Sequence, residues 1–261
     1  MYILFLLFSG ILFKIYESLF GFNRNLYAFV VAFIISILAF AVLFLMLYEK
    51  RLLNKSNNKE LYRGIGYIVI TCLFFSYAVA RISITTIIAL TLLGQNLAVS
   101  IVDYFGWFNR EKQVEKVVDA PGILLAVVGL ILFLDSNVTI MEIFSLVVSF
   151  AAGMTGFFTT MCLFEDKVLA PVLNAKSRLS FSMFSIVLAI TVDAIFASDF
   201  AKVSVMSGLI LALASLICNY AKVRYEIHKK MKLEYYNHIM EEEHKHRDYI
   251  VSKWLETMEQ K

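Results

Sequence analysis

Gln95 and Asn96 stand side by side in an apolar stretch that runs from Ile87 to Phe108, and Asp103 follows eight residues after Gln95. Amides and a carboxylate in such a setting could hydrogen-bond a solute, gate a cavity or bind a coupling ion. Equally, they could join neighbouring helices, as polar side chains do in membranes. In lipid a polar group without a partner costs several kcal/mol, so the amides must face protein or a cavity. At about 100° per residue Asp103 falls roughly 80° from Gln95, on one flank of the helix. It also sits at the helix C-terminus, where the macrodipole disfavours an anion. Something must hold it there, either a coupling ion or a cation from the adjoining loops. Lys14 and Glu17 are a further candidate set, charges three residues apart inside the first apolar run. A desolvated Glu17 could carry a proton; alternatively the two neutralise one another and Lys14 snorkels to the interface.

The elements that position these groups follow from composition. The chain has 261 residues, 60% of them hydrophobic and 17% charged, with a mean hydropathy of +0.74, which places it in a bilayer. Crossing a hydrocarbon core of about 30 Å takes about 20 apolar residues. Such runs fall at 2–22, 26–48, 64–82, 84–104, 140–163, 179–198 and 203–221, and a shorter one at 120–134 makes eight. Only Pro121 and Pro171 could interrupt them. The expected fold is an all-α integral membrane bundle of about eight transmembrane helices. Cys72, Cys162 and Cys218 each lie in an apolar run and read as small hydrophobes. Tyr2 opens an apolar run with no basic segment before it, so the N-terminus reads as an uncleaved first helix.

Charge sets the orientation. The connections 49–63, 109–119 and 164–178 carry Lys50, Arg51, Lys55, Lys59, Arg63, Arg110, Lys112, Lys116, Lys167, Lys176 and Arg178, while the opposite turns carry only Arg24 and Lys202, with Arg81 at a helix end. By the positive-inside rule both termini are cytoplasmic in a multi-pass protein of the cytoplasmic membrane. Glu142 and Asp193, near the outer ends of their helices, are expected to reach water. Tyr77 and Arg81 read as an interfacial aromatic and a snorkelling cation. A net charge of +3 is too small to suggest a nucleic-acid partner.

Gly94-Gln95, then Asp103 with Phe105-Gly106, then a short charged linker and the small-residue helix Pro121, Gly122, Ala126, Gly129 together resemble the drug/metabolite transporter superfamily. Within it they are most similar to the YdcZ-type inner-membrane proteins, over residues 62–135. The resemblance implies a secondary transporter that moves a small molecule by alternating access, with Gln95 as a substrate or gate contact. A weak internal repeat agrees with this. Tyr77 to Arg81 and Tyr220 to Arg224 lie 143 residues apart, as do Ser9-Gly10 and Ala152-Gly153. Five helices precede the second copy, so it is inverted, as in many secondary transporters. The expected division is a first repeat of five helices (1–136), a second of three (137–224) and a cytoplasmic helical tail (225–261). Counterparts of the fourth and fifth helices are missing from the second repeat.

In the tail, Val223, Ile227, Met231, Tyr235 and Ile239 recur at four-residue steps and Ile250, Trp254 and Met258 resume the pattern, which predicts a long amphipathic helix. It could lie on the membrane, pair with a second copy or dock on a tail-binding protein. All four histidines, His228, His238, His244 and His246, fall here. His244 and His246 point to different faces of a helix and so make a poor metal pair. With no histidine in a span and no phosphate-cradling glycine loop, neither an enzyme nor a cofactor is expected. Two readings remain: a secondary transporter, its cavity among the first, third, fourth and sixth helices with Gln95, Asn96, Glu17 and Asp103 as substrate-binding or gating groups, or a membrane anchor acting through its tail.

Overall fold

Without water to hydrogen-bond the backbone, an apolar segment satisfies its N–H and C=O groups only by closing into a helix, and each predicted run does so. The computed structural model describes residues 2–20, 26–49, 58–109, 120–134, 139–164, 174–196 and 202–259. Among them are eight α-helices: α1 (Tyr2–Phe20), α2 (Leu26–Glu49), α3 (Asn58–Val79), α4 (Ile84–Phe105), α5 (Ala120–Leu134), α6 (Ile140–Leu163), α7 (Ala175–Phe196) and α8 (Lys202–Glu259). Six of these, α2, α3, α4, α6, α7 and α8, contain stretches long and apolar enough to cross a membrane, and α5 is a shorter apolar helix. Of the loop cations used to orient the chain, Lys50, Arg51, Lys55, Arg110, Lys112, Lys116 and Lys167 lie outside the described residues, as does Arg24.

Helix direction alternates. Phe5 of α1 meets Phe40 of α2 with ring centroids 4.7 Å apart, Phe29 of α2 meets Tyr77 of α3 at 6.5 Å, and the turn Ala80 to Ser83 reverses the chain into α4. Along α3 and α6, Tyr77 faces Phe144 at 5.2 Å, the Thr71 hydroxyl donates to that of Thr155 at 2.8 Å and Tyr67 lies 5.8 Å from Phe158. The two helices therefore run antiparallel. Arg81 lies 3.8 Å over the Tyr77 ring and donates to the Tyr77 carbonyl. That cation–π contact ties the end of α3 together.

Burial ranks the helices. In α4, 83% of the apolar window is buried, against 17% in α2, so α4 is the central element and α2 a peripheral one. Helix α4 packs on α6, α7, α1 and α3. Its crossing with α6 is made by glycine: a methyl on Gly94 would strike the carbonyl of Phe150, and one on Gly153 the carbonyl of Thr91. Only a residue without Cβ lets two backbones approach so closely. The small-residue face of α5 serves the same end, since Gly122 lies against Cys218 and Ala214, and Gly129 against Leu211.

The contacts divide the chain into a bundle, Met1–Ala221, and a tail, Lys222–Lys261. Along the tail, Met231, Tyr235, Ile250, Trp254 and Met258 are exposed. Its charges pair locally: Lys245 lies 2.9 Å from Glu241, and that hydrogen bond and charge hold Glu241 below the usual carboxylate range. As the bundle is a unit in itself, removing residues 226–261 is expected to move its thermal midpoint in detergent by less than about 3 °C, equivalent to roughly 1 kcal/mol. A larger fall would show that the bundle depends on the tail.

Candidate functional site

Both ends of α4 are capped. At its C-terminus Gly106 adopts φ 68° and ψ 32°, and its N–H bonds the Val102 carbonyl. This is the left-handed cap that glycine accepts without strain. At its N-terminus the Ser83 hydroxyl accepts from the Thr86 N–H at 3.3 Å. Two further donors of the first turn are met from 109 residues away in sequence, by the carboxylate of Asp193 on α7. Oδ1 accepts from the Ile84 N–H at 3.2 Å and Oδ2 from the Thr85 N–H at 2.7 Å. A carboxylate at a helix N-terminus satisfies otherwise orphaned donors and opposes the positive end of the dipole.

Asp193 is 8% exposed. This corrects the expectation that it reaches water: proximity to a helix end does not place a side chain in solvent when a second helix end is packed beside it. Helix α8 closes the same end. The Thr86 hydroxyl donates to the Ser204 carbonyl at 3.0 Å, and Gly208 allows α8 to lie against Thr85 and Thr86. The recoverable signal was the spacing of Ser204 and Gly208, small residues four apart at the start of a span. Glu142 accepts from the Thr139 N–H at 3.0 Å and so caps α6 at an exposed position.

Gln95 and Asn96 directly follow Gly94 of the crossing and are 7% and 4% exposed. The most buried helix thus carries its amides within protein. Thr91, on the same face as Gln95, donates to the Ser149 carbonyl of α6 at 3.4 Å. The side chain of Gln95 makes no hydrogen bond among the described residues. Asp103 is half-buried in the last turn of α4.

Lys14 and Glu17 form an ion pair at 2.8 Å, with side chains 10% and 24% exposed. Gly10 of α1 abuts Ile84, the first residue of α4, and the two helices run in opposite directions. Glu17 therefore leads away from Ile84 on one side and Gln95 on the other. At about 1.5 Å per residue the two groups stand roughly 25 Å apart along the bundle. The structure brings Gln95, Asn96 and Thr91 together on α4 and leaves Glu17 at the opposite end. The cluster Ser83, Thr85, Thr86, Asp193 and Ser204 is the polar site that no sequence pattern assembled.

These features define a class: a polytopic helical membrane protein built around one buried, polar-centred helix clamped by glycine contacts and by a carboxylate cap. A family model described as "Putative inner membrane exporter, YdcZ" matches residues 1–132. The chain belongs to that family, and it is a multi-pass protein of the inner-membrane type. No curated protein and no solved structure matches it.

Proposed function

We propose that this chain is a secondary exporter that moves a small molecule across the cytoplasmic membrane by alternating access, with both termini cytoplasmic and with residues 1–136 and 137–224 as inverted repeats. Gln95 and Asn96 contact or gate the solute, and Asp103 lies at the cytoplasmic end of the same helix. The observation that carries this reading is Gln95 itself. It is a buried amide on the central helix whose side chain has no hydrogen bond among the described residues. Its amide atoms are not among the fully buried polar atoms that lack a partner, so the amide keeps some access from outside the packed core, and in an exporter family a solute can occupy that access. The solute then has hydrogen-bonding groups to offer an amide.

The test is thermal stability of the purified protein against a panel of metabolites and cationic drugs, beside Gln95→Ala. A compound at about 100 times its dissociation constant adds about 2.7 kcal/mol, which at this chain length is a rise of roughly 5–10 °C. The rise is expected in wild type and lost in Gln95→Ala. If no compound shifts a folded, monodisperse protein, the anchor reading takes precedence. The exposed Tyr235, Trp254 and Met258 of the tail favour that reading. Deleting residues 226–261 would then abolish partner capture, whereas an exporter keeps ligand binding without the tail.

A further inference from the structure

We propose that the first turns of the tail form a collar for anionic lipid headgroups, with Arg224, Lys229, Lys230 and Lys232 as its binding groups. The inference is independent of what the bundle moves. Ala221 ends the bundle and Lys222 opens the tail, both within the single helix α8. The four side chains are exposed, and the one carboxylate among residues 222–232 is Glu226. Among the described residues Arg224, Lys229 and Lys230 enter no ion pair, hydrogen bond or ring contact. Lys232 only approaches the Tyr236 ring, at 5.9 Å. Further along the tail the charges compensate one another: Lys245 lies 2.9 Å from Glu241, and carboxylates outnumber lysines and arginines over residues 233–261. Positive charge that the chain leaves uncompensated is therefore concentrated in one place, next to the last span.

The arrangement of the four cations selects the partner. At about 100° per residue they are spread round the whole helix, with no gap between neighbours wider than about 120°. A helix that lies on a membrane keeps its cations on one face; one encircled by them is suited to passing through the headgroup layer. Tyr220, 56% exposed, is the kind of residue found at the edge of the hydrocarbon. Arg224 and Lys232 follow it by about 6 and about 18 Å of helix. Helical side chains lean towards the N-terminus, here the membrane side, so the lysines reach back. The headgroup layer is about 5–7 Å deep on each side, and its field extends about 8 Å further at physiological salt. All four cations therefore act on it. With the C-terminus cytoplasmic, as proposed, the collar meets the leaflet whose anionic lipids attract juxtamembrane cations. A second copy is the poorer occupant, because two copies inserted alike in one membrane set each collar against its like, and like charges repel.

The test is fluorescence quenching in vesicles. Trp107 and Trp254 are the two tryptophans of the chain; both are replaced by phenylalanine, and Tyr220→Trp then reports the lipid beside the collar. The full-length protein is reconstituted in mixtures of phosphatidylcholine and phosphatidylglycerol, one or the other brominated in its acyl chains. Competition between the two gives the affinity of the anionic lipid relative to the zwitterionic one. The expected ratio in about 0.1 M salt is at least about fivefold, the factor that one cation near an anionic surface contributes. In about 1 M salt, where the screening length falls to about 3 Å, it should drop towards unity. Replacing Arg224, Lys229, Lys230 and Lys232 by glutamine should bring it close to unity at low salt as well, with the thermal midpoint of the bundle unchanged. Lys245→Gln, Arg247→Gln and Lys253→Gln together should leave it as it was. A ratio near unity before any collar cation is replaced, or one that the collar variant keeps, overturns the proposal. An equal fall in the distal variant does so too, since net charge alone would then be responsible. A ratio near unity in a dimer that the collar variant dissociates would assign these cations to a second copy instead. Lipid preference in a protein that no compound stabilises would leave the collar standing and count against the transport reading alone.

Discussion

Alanine at Gly94 is expected to destabilise the bundle by about 2–3 kcal/mol, seen as a fall of roughly 5–10 °C in thermal midpoint in a fixed detergent. The added methyl meets the carbonyl oxygen and carbon of Phe150 and the Cα of Gly153. All three are backbone atoms, so no rotamer change can relieve the contact and α4 and α6 must move apart. Against this stands a helix-propensity gain of about 1 kcal/mol for replacing glycine, already included in the net figure. Gly153→Ala faces the Thr91 backbone in the same way and should cost as much. The double variant should cost clearly less than the two together, by about 1 kcal/mol or more, because helices already separated by the first methyl have room for the second. Gly66 is the control: nothing lies within 4 Å of its Cβ position, and Gly66→Ala should stabilise by up to about 1 kcal/mol. A Gly94→Ala protein as stable as wild type would mean the helices do not cross there.

Asp193→Ala should cost about 2–4 kcal/mol, measured by the same melt at neutral pH. It removes two charge-assisted hydrogen bonds and leaves the Ile84 and Thr85 N–H groups buried without acceptors. Ser83→Ala, which loses one local cap bond, should cost about 1 kcal/mol. The order is the informative part. A carboxylate in water at a helix end would be replaceable within about 0.5 kcal/mol, and the local cap would then outrank it. Equal or reversed costs would return Asp193 to solvent and remove the latch between α7 and α4.

Much was legible before any coordinates. The eight helices follow from apolar length, because bilayer insertion is decided segment by segment by transfer free energy. Gly106 is readable as a cap because its position after Asp103 to Phe105 ends a hydrophobic run, and a C-terminal glycine has a local reason. Lys14 and Glu17 pair as their three-residue spacing predicts. The small residues of α5 predict a close neighbour, although not that the neighbour is α8. The buried state of Gln95 and Asn96 follows from the cost of leaving amides in lipid.

What the sequence determined by itself is local: which segments are helices, where they end, and which residues the bilayer will not tolerate on its own face. Hydropathy and periodicity each report a property of a single segment, and these answers need nothing more. The tertiary structure alone decided that α4 is the central helix, that Gly94 meets Gly153, that Glu17 and Gln95 stand at opposite ends, and that Asp193 serves a helix 109 residues away. Each of these depends on which surfaces are brought together. Short connections restrict neighbours without choosing among them, and the meaning of a lone carboxylate near a helix end is set by whether water or another helix's N–H groups lie beside it.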